Sequence, residues 1–239
     1  MYYSKQSAAI ITAVLLMAGI SCTEEAAIRP LDAIPATQTI AYSNPENPQD
    51  ALADAYREGY AYILDQSETL EGHLGDPAAL EAEIEAMAMA VAEGEAPSPA
   101  FAEVMQAGDG LYGTTAYGNY SDLLDALGVE GDDHAAMDNL LGILYAADLS
   151  DEAGAQECID EVLALEEAVL FSYSLHDPDG IARSFALARG GVSTVYWPWP
   201  DPIRSPLPQD IAAAATLGGL DNSPVASVTM AGAVLWQPE

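Results

Sequence analysis

The chain has 239 residues, 38 Asp or Glu against 6 Lys or Arg, a formal net charge of −32 and 50% hydrophobic residues. That much apolar surface supports a folded core despite the charge. The acidic excess excludes nucleic acid and anionic lipid surfaces as partners, because binding either one depends on Lys and Arg neutralising phosphates.

The first stretch, Met1 to Cys22, carries Lys5 as its only charge. Thirteen residues from Ala8 to Ile20 then hold no charge. A positive start, a short apolar core and small residues at the end are the pattern of an export signal. As a helix the core would span ~20 Å, short of the ~30 Å hydrocarbon layer. Residues 1–21 are therefore expected to be a signal peptide rather than a permanent transmembrane helix.

Gly19-Ile20-Ser21-Cys22 resembles the lipobox of bacterial lipoproteins. Ser21 and Cys22 fit it, Ile20 is tolerated, and Gly19 stands where Leu is usual. Gly19-x-Ser21 also fits the small-x-small rule of ordinary signal peptidase. The resemblance implies diacylglycerol on Cys22, a lipid anchor as the membrane contact, and a place in the cell envelope on the periplasmic face or the cell surface. Thr23-Glu24-Glu25 follows and looks like the surface-export tag of some lipoproteins.

All 38 acidic residues and five of the six basic ones lie after Cys22, and no lysine does. A lysine-free chain cannot be a P-loop NTPase, a Schiff-base enzyme or a Ser-Lys hydrolase. Such a chain repels itself unless salt screens it, so the composition looks like adaptation to high salt. With Cys22 lipidated, Cys158 has no disulfide partner.

Residues 22–48 read as a tether, punctuated by Pro30, Pro35, Pro45 and Pro48. A flexible coil of that length averages roughly 25–30 Å. Residues 49–191 read as a helical domain. Leu52, Tyr56, Tyr60, Ile63 and Leu64 share one helical face. Asp76-Pro77 starts a second helix with Leu80, Ile84, Met87, Ala88 and Val91 inward. Ser98-Pro99 starts a third, short helix. Gly108 to Tyr120, with four glycines and three tyrosines, reads as a loop with aromatic tips.

Helices resume at Ser121 and Asp133, the latter burying Met137, Leu140, Leu141 and Leu144. Ser150 is the expected cap of the longest helix, which carries Ile159, Val162 and Val169 inward. Asp177-Pro178-Asp179-Gly180 reads as a turn, and Ile181 to Arg189 as a short helix stopped by Gly190-Gly191. In residues 192–239, Val192–Trp197 and Val225–Trp236 look like strands, Gln209–Leu217 like a helix, and five prolines from Pro198 to Pro208 break structure between them. The fold class expected is mainly α, stacked helical hairpins in a bundle or short α-solenoid. The C-terminal irregular or β segment would pack on those helices. Leu141-Gly142-x-x-Tyr145 resembles the tetratricopeptide first-helix signature, and Gly59-x-x-Tyr62 echoes it, but their separation is not a multiple of the ~34-residue period.

No His pair has metal-ligand spacing. Asp132-Asp133-His134 and His176 to Gly180 offer oxygen and imidazole ligands but lack the closing Glu of a calcium loop, so no metal and no cofactor is assigned. Glu166-Glu167, Asp160-Glu161 and Glu81/Glu83/Glu85 read as solvated helix faces rather than a hydrolase carboxylate pair. Cys158 reads as a small buried hydrophobe. Tyr112, Tyr117, Tyr120, Trp197 and Trp199 are the ligand-binding candidates, since aromatic faces stack on sugars or hold a partner segment. Their alternative is folding back over the core as lids. The function expected is a non-catalytic scaffold or protein-binding lipoprotein of the envelope. The alternative is capture of a small ligand or glycan, and an acid/base hydrolase stands third.

Overall fold

The computed structural model describes residues 40–66, 69–70, 72, 77–91, 98, 118–195, 208–221 and 224–235. The signal segment, Cys22, the tether up to residue 39, most of the expected third helix, and Tyr112, Tyr117, Trp197 and Trp199 lie outside these residues. The fold is mainly α. Eight α-helices are described: α1 (Ala51–Asp65), α2 (Pro77–Val91), α3 (Gly118–Ala126), α4 (Gly131–Ala146), α5 (Glu152–Ser172), α6 (Pro178–Thr194), α7 (Pro208–Gly218) and α8 (Pro224–Leu235). A short 3-10 turn, Gly219–Asp221, joins α7 to the segment before α8.

The hub is α6. It packs on α1, α4, α5 and α7, while α8 packs on α7, α2 and α1. Tyr56, Tyr60 and Ile63 of α1, Ile84 of α2, Leu140, Leu141 and Leu144 of α4, and Ile159, Val162 and Val169 of α5 are all fully buried. The apolar faces expected from helical spacing are the faces that meet. Together with α6, α7 and α8 they form one hydrophobic cluster. Tyr56 and Tyr60 stack, with ring centroids 5.6 Å apart.

Four helices open on proline: α2 at Pro77, α6 at Pro178, α7 at Pro208 and α8 at Pro224. Proline suits the first turn, where its missing N–H has no helical partner to lose. The Asp177–Gly180 segment expected as a turn is therefore the start of α6. Asp177 caps it by accepting from the Gly180 amide at 3.0 Å. At α5 the cap is Asp151, which accepts from Gly154 N at 2.8 Å, and not the neighbouring Ser150.

Gly190-Gly191, expected to stop α6, lies inside it. A Cβ on Gly190 would meet the Ala53 carbonyl oxygen at 3.1 Å, and one on Gly191 would meet the Ala212 Cα at 3.2 Å. The pair is a crossing point where α1 and α7 approach α6 from two sides. Close packing there offsets the ~1 kcal/mol that each glycine costs in a helix interior.

The strand expectations are corrected. Val192–Thr194 completes α6, and Val225–Leu235 lies within α8. Val225, Val228 and Val234 are β-branched, yet the run is twelve residues long, starts at a proline and is buried on every side described. A segment apolar all round becomes a central helix, and its length argues against a strand. Among the described residues no helix is long and apolar enough to cross a membrane.

Residues 40–50, most of which belong to the expected tether, are bonded to α5, α6 and α1. Ile40 and Asn47 are buried, and Asn44 donates to Glu166 at 2.8 Å.

Candidate functional site

Two clusters of charged groups stand out, one inside the molecule and one at its surface. The inner cluster centres on Arg189 of α6. Arg189 and Glu166 are both fully buried. Arg189 Nε lies 3.2 Å from Glu166 Oε2, and Nη1 lies 2.7 Å from Asp50 Oδ1. Nη1 also donates to the Tyr42 carbonyl. Asn47 donates to Glu166 and to the Ala182 carbonyl.

Burial opposes the charge on Asp50. Hydrogen bonds from Ser43, the Asn44 amide and Arg189 outweigh it and hold the carboxyl below its ordinary value. Glu166 thus departs from the solvated face expected of it, although Asp160, Glu161 and Glu167 on the same helix are exposed. Arg189, expected as the last residue of a short helix, is the largest fully buried side chain described. The Arg189–Glu166 pair at its centre is closed to solvent, and only the Asp50 side is partly exposed, so the cluster reads as structural.

The outer cluster lines a cleft of about 770 Å³. Its walls are the α3–α4 turn with the start of α4, the link between α5 and α6, and the Leu220–Asp221 turn. Five carboxylates line it: Glu130, Asp132, Asp133, Asp177 and Asp221. No Lys or Arg stands among the described lining residues, and His176 is the one basic side chain there.

Local structure explains why the acids gather. The α3 end turns on Gly128, at φ 72°. There Val129 N bonds to Leu124 O and Gly128 N to Asp125 O, the geometry of a glycine-terminated helix. This turn delivers Glu130 to the N-terminus of α4 and sets Asp132 and Asp133 in its first turn, where the helix dipole favours negative charge.

Asp133 is buried and stitches the α5–α6 link to α4. Its two oxygens accept from the amides of His176 and Asp177, each at 2.8 Å. Asp132 accepts from Ser174 N at 2.9 Å. Asp221 accepts from both the amide and the hydroxyl of Ser98. Arg183 lies close by but is engaged, 3.8 Å from Asp177 Oδ2 and donating to the Gly219 carbonyl at 2.9 Å.

A carboxylate keeps acceptor capacity after one or two such bonds. The cleft can therefore take hydrogen-bond donors and positive charge, and it repels anions. Among the described residues no group of three or more His, Cys, Asp or Glu converges as a metal site. Cys158 is buried on α5, and burial first, then Glu161, pushes its thiol up to about 12. That suits a core hydrophobe and not a nucleophile.

Of the aromatic candidates, Tyr120 falls in α3, and the other four lie outside the described residues. Asp132, Asp133 and the Asp177 segment, weighed separately as ligand loops, come together here from either side of α5. Their convergence with Glu130 and Asp221 was not foreseen. The one sequence signal for it is that most of these acids stand at or next to helix starts.

Compared with family models, curated proteins and solved structures, the chain matches none.

Proposed function

We propose that this chain is a binding module of the cell envelope. An export segment over residues 1–21 delivers it, lipid on Cys22 anchors it, and its helical body binds a partner protein without catalysing a reaction. The acidic cleft between the α3–α4 turn and the α5–α6 link receives a Lys- or Arg-bearing segment of that partner.

One observation carries this reading: five carboxylates line a single cleft of about 770 Å³ with no Lys or Arg among its described residues. A cation ~4 Å from one carboxylate gains on the order of 1–4 kcal/mol, depending on how far water is excluded. Several carboxylates around it act together, and an anionic ligand meets the same field as a barrier. The large negative charge of the whole chain adds long-range attraction for basic partners and speeds encounter at low salt.

The test is calorimetric titration of the domain with a hexa-arginine peptide. The cleft variant Glu130→Gln/Asp132→Asn is compared with Glu157→Gln/Glu167→Gln, which removes the same charge from exposed positions of α5. Binding weakened at least about tenfold by the cleft variant and little by the α5 variant supports the proposal. Equal weakening by both would reduce it to diffuse attraction.

The anchor has its own test. Intact mass of the membrane-extracted protein should show a chain starting at Cys22 with added acyl mass, absent from Cys22→Ser. A start at Cys22 without lipid would replace anchoring with ordinary secretion.

A further inference from the structure

The segment from Ile40 to Asn47 is held mainly by polar side-chain bonds. The Ala41 amide donates to Gln156 Oε1 at 2.8 Å, and the Ala41 carbonyl accepts from Gln156 Nε2 at 3.1 Å. The Tyr42 carbonyl accepts from Arg189. Asn44 and Asn47 both donate to Glu166. The apolar hold is small, one buried Ile40 and a half-buried Tyr42 ring that has the Arg57 guanidinium 4.3 Å above its centroid.

The buried charges do not depend on this segment for neutralisation. Arg189 of α6 keeps Glu166 of α5, with Nε to Oε2 at 3.2 Å and Nη2 to Oε1 at 3.3 Å. It also keeps Asp50, the residue just before α1. A buried charge is strongly destabilising when its partner is removed, and here the groups that the departing segment brings to Arg189, Glu166 and Asp50 are uncharged: amides, one carbonyl and the Ser43 hydroxyl. Breaking the strap costs several hydrogen bonds that water can replace, whereas opening the helical core costs the buried apolar cluster.

We propose that Ile40–Asn47 is a releasable strap, which opens as a unit while the helices stay folded. It is the last part of the expected tether, next to α1, so opening adds at most about 26 Å of leash to the helical body at ~3.3 Å per residue. The strap itself does not rest on the cleft reading. Only the meaning of the extra reach rests on the anchor, and the test below needs neither.

Hydrogen exchange on the full chain tests the strap. Amides of residues 40–47 should exchange faster than those of Met137 to Leu144 in α4. Asn44→Ala/Asn47→Ala should accelerate the strap by about tenfold or more, the loss expected for hydrogen bonds to a charged group, and leave α4 unchanged. Gln156→Ala, at an exposed point of attachment, should do the same for Ala41 and Tyr42 with less risk to folding. Strap and α4 amides exchanging at one common rate, or accelerating together in the variants, would overturn the proposal by making them a single cooperative unit.

Discussion

Arg189 Nη1 lies 2.7 Å from Asp50 Oδ1, joining α6 to the residue just before α1. The same guanidinium meets Glu166 on α5, so one side chain ties α6 to α5 and to the start of α1 through charge. Arg189→Met should destabilise the fold by about 3–5 kcal/mol, because it leaves Glu166 buried without a counter-charge. Adding Glu166→Met should recover more than half of that loss. Urea denaturation of the two single variants and the double variant measures this coupling, and additive losses would show that the pair is not a unit.

Asp50 also gives an acid dependence. Its folded carboxyl sits below the ordinary value of 3.8, so its contribution is fully present above that value. It is lost as pH falls through the lower, folded one. Asp50→Asn should cost stability at neutral pH and flatten the acid limb of a stability-versus-pH curve below about pH 4. A limb as steep as that of the unaltered chain would assign acid sensitivity to other carboxylates.

Two glycines separate crowding from backbone conformation. A Cβ on Gly218 would sit 2.4 Å from the backbone nitrogen and Cα of Ser227, whereas one on Gly128 would meet nothing within 4 Å. Gly218→Ala should therefore force α7 and α8 apart, at a cost of about 3 kcal/mol or more. Gly128→Ala pays only for its positive φ, about 1–2 kcal/mol. Thermal melts of the two variants should rank them in that order.

The net charge of −32 predicts that added salt stabilises the domain. Repulsion among exposed carboxylates is screened within ~3 Å at molar salt against ~30 Å at 0.01 M. The melting temperature should rise steadily from low to molar sodium chloride. A flat or falling curve would remove the case for a high-salt habitat.

The helices were legible where one face is apolar and the other polar. Leu80, Ile84, Met87 and Ala88, or Met137, Leu140, Leu141 and Leu144, sit at helical spacing and are buried together. Of the two C-terminal helices, α7 was legible as a helix over Gln209–Leu217, whereas α8 was not, because its described residues are buried on every side and so carry no amphipathic period. For α8, β-branched Val225, Val228 and Thr229 then pulled the local expectation toward strand, and tertiary burial overrode it. Gly190-Gly191 was misjudged for a related reason: a helix stop and a helix crossing use the same residue, and only the neighbours distinguish them.

The cleft was half legible. Asp132-Asp133-His134 and the Asp177–Gly180 segment were visible as clusters of oxygen and imidazole groups, the latter read as a turn, but nothing local says that residues on either side of α5 share a wall with Asp221. Glu166 was hidden among 38 acidic residues, since its partners Arg189, Asn44 and Asn47 are all remote in sequence.

The most direct test of the account is amide-resolved NMR of the domain titrated with hexa-arginine at moderate salt. The amides of Gly128 to Asp133 and Ser174 to Asp177 should shift first and saturate together. The exposed acids of α5, Glu157, Asp160 and Glu167, should lag behind. Uniform, unsaturating shifts over all acidic surfaces, or shifts that leave the cleft amides still, would contradict it.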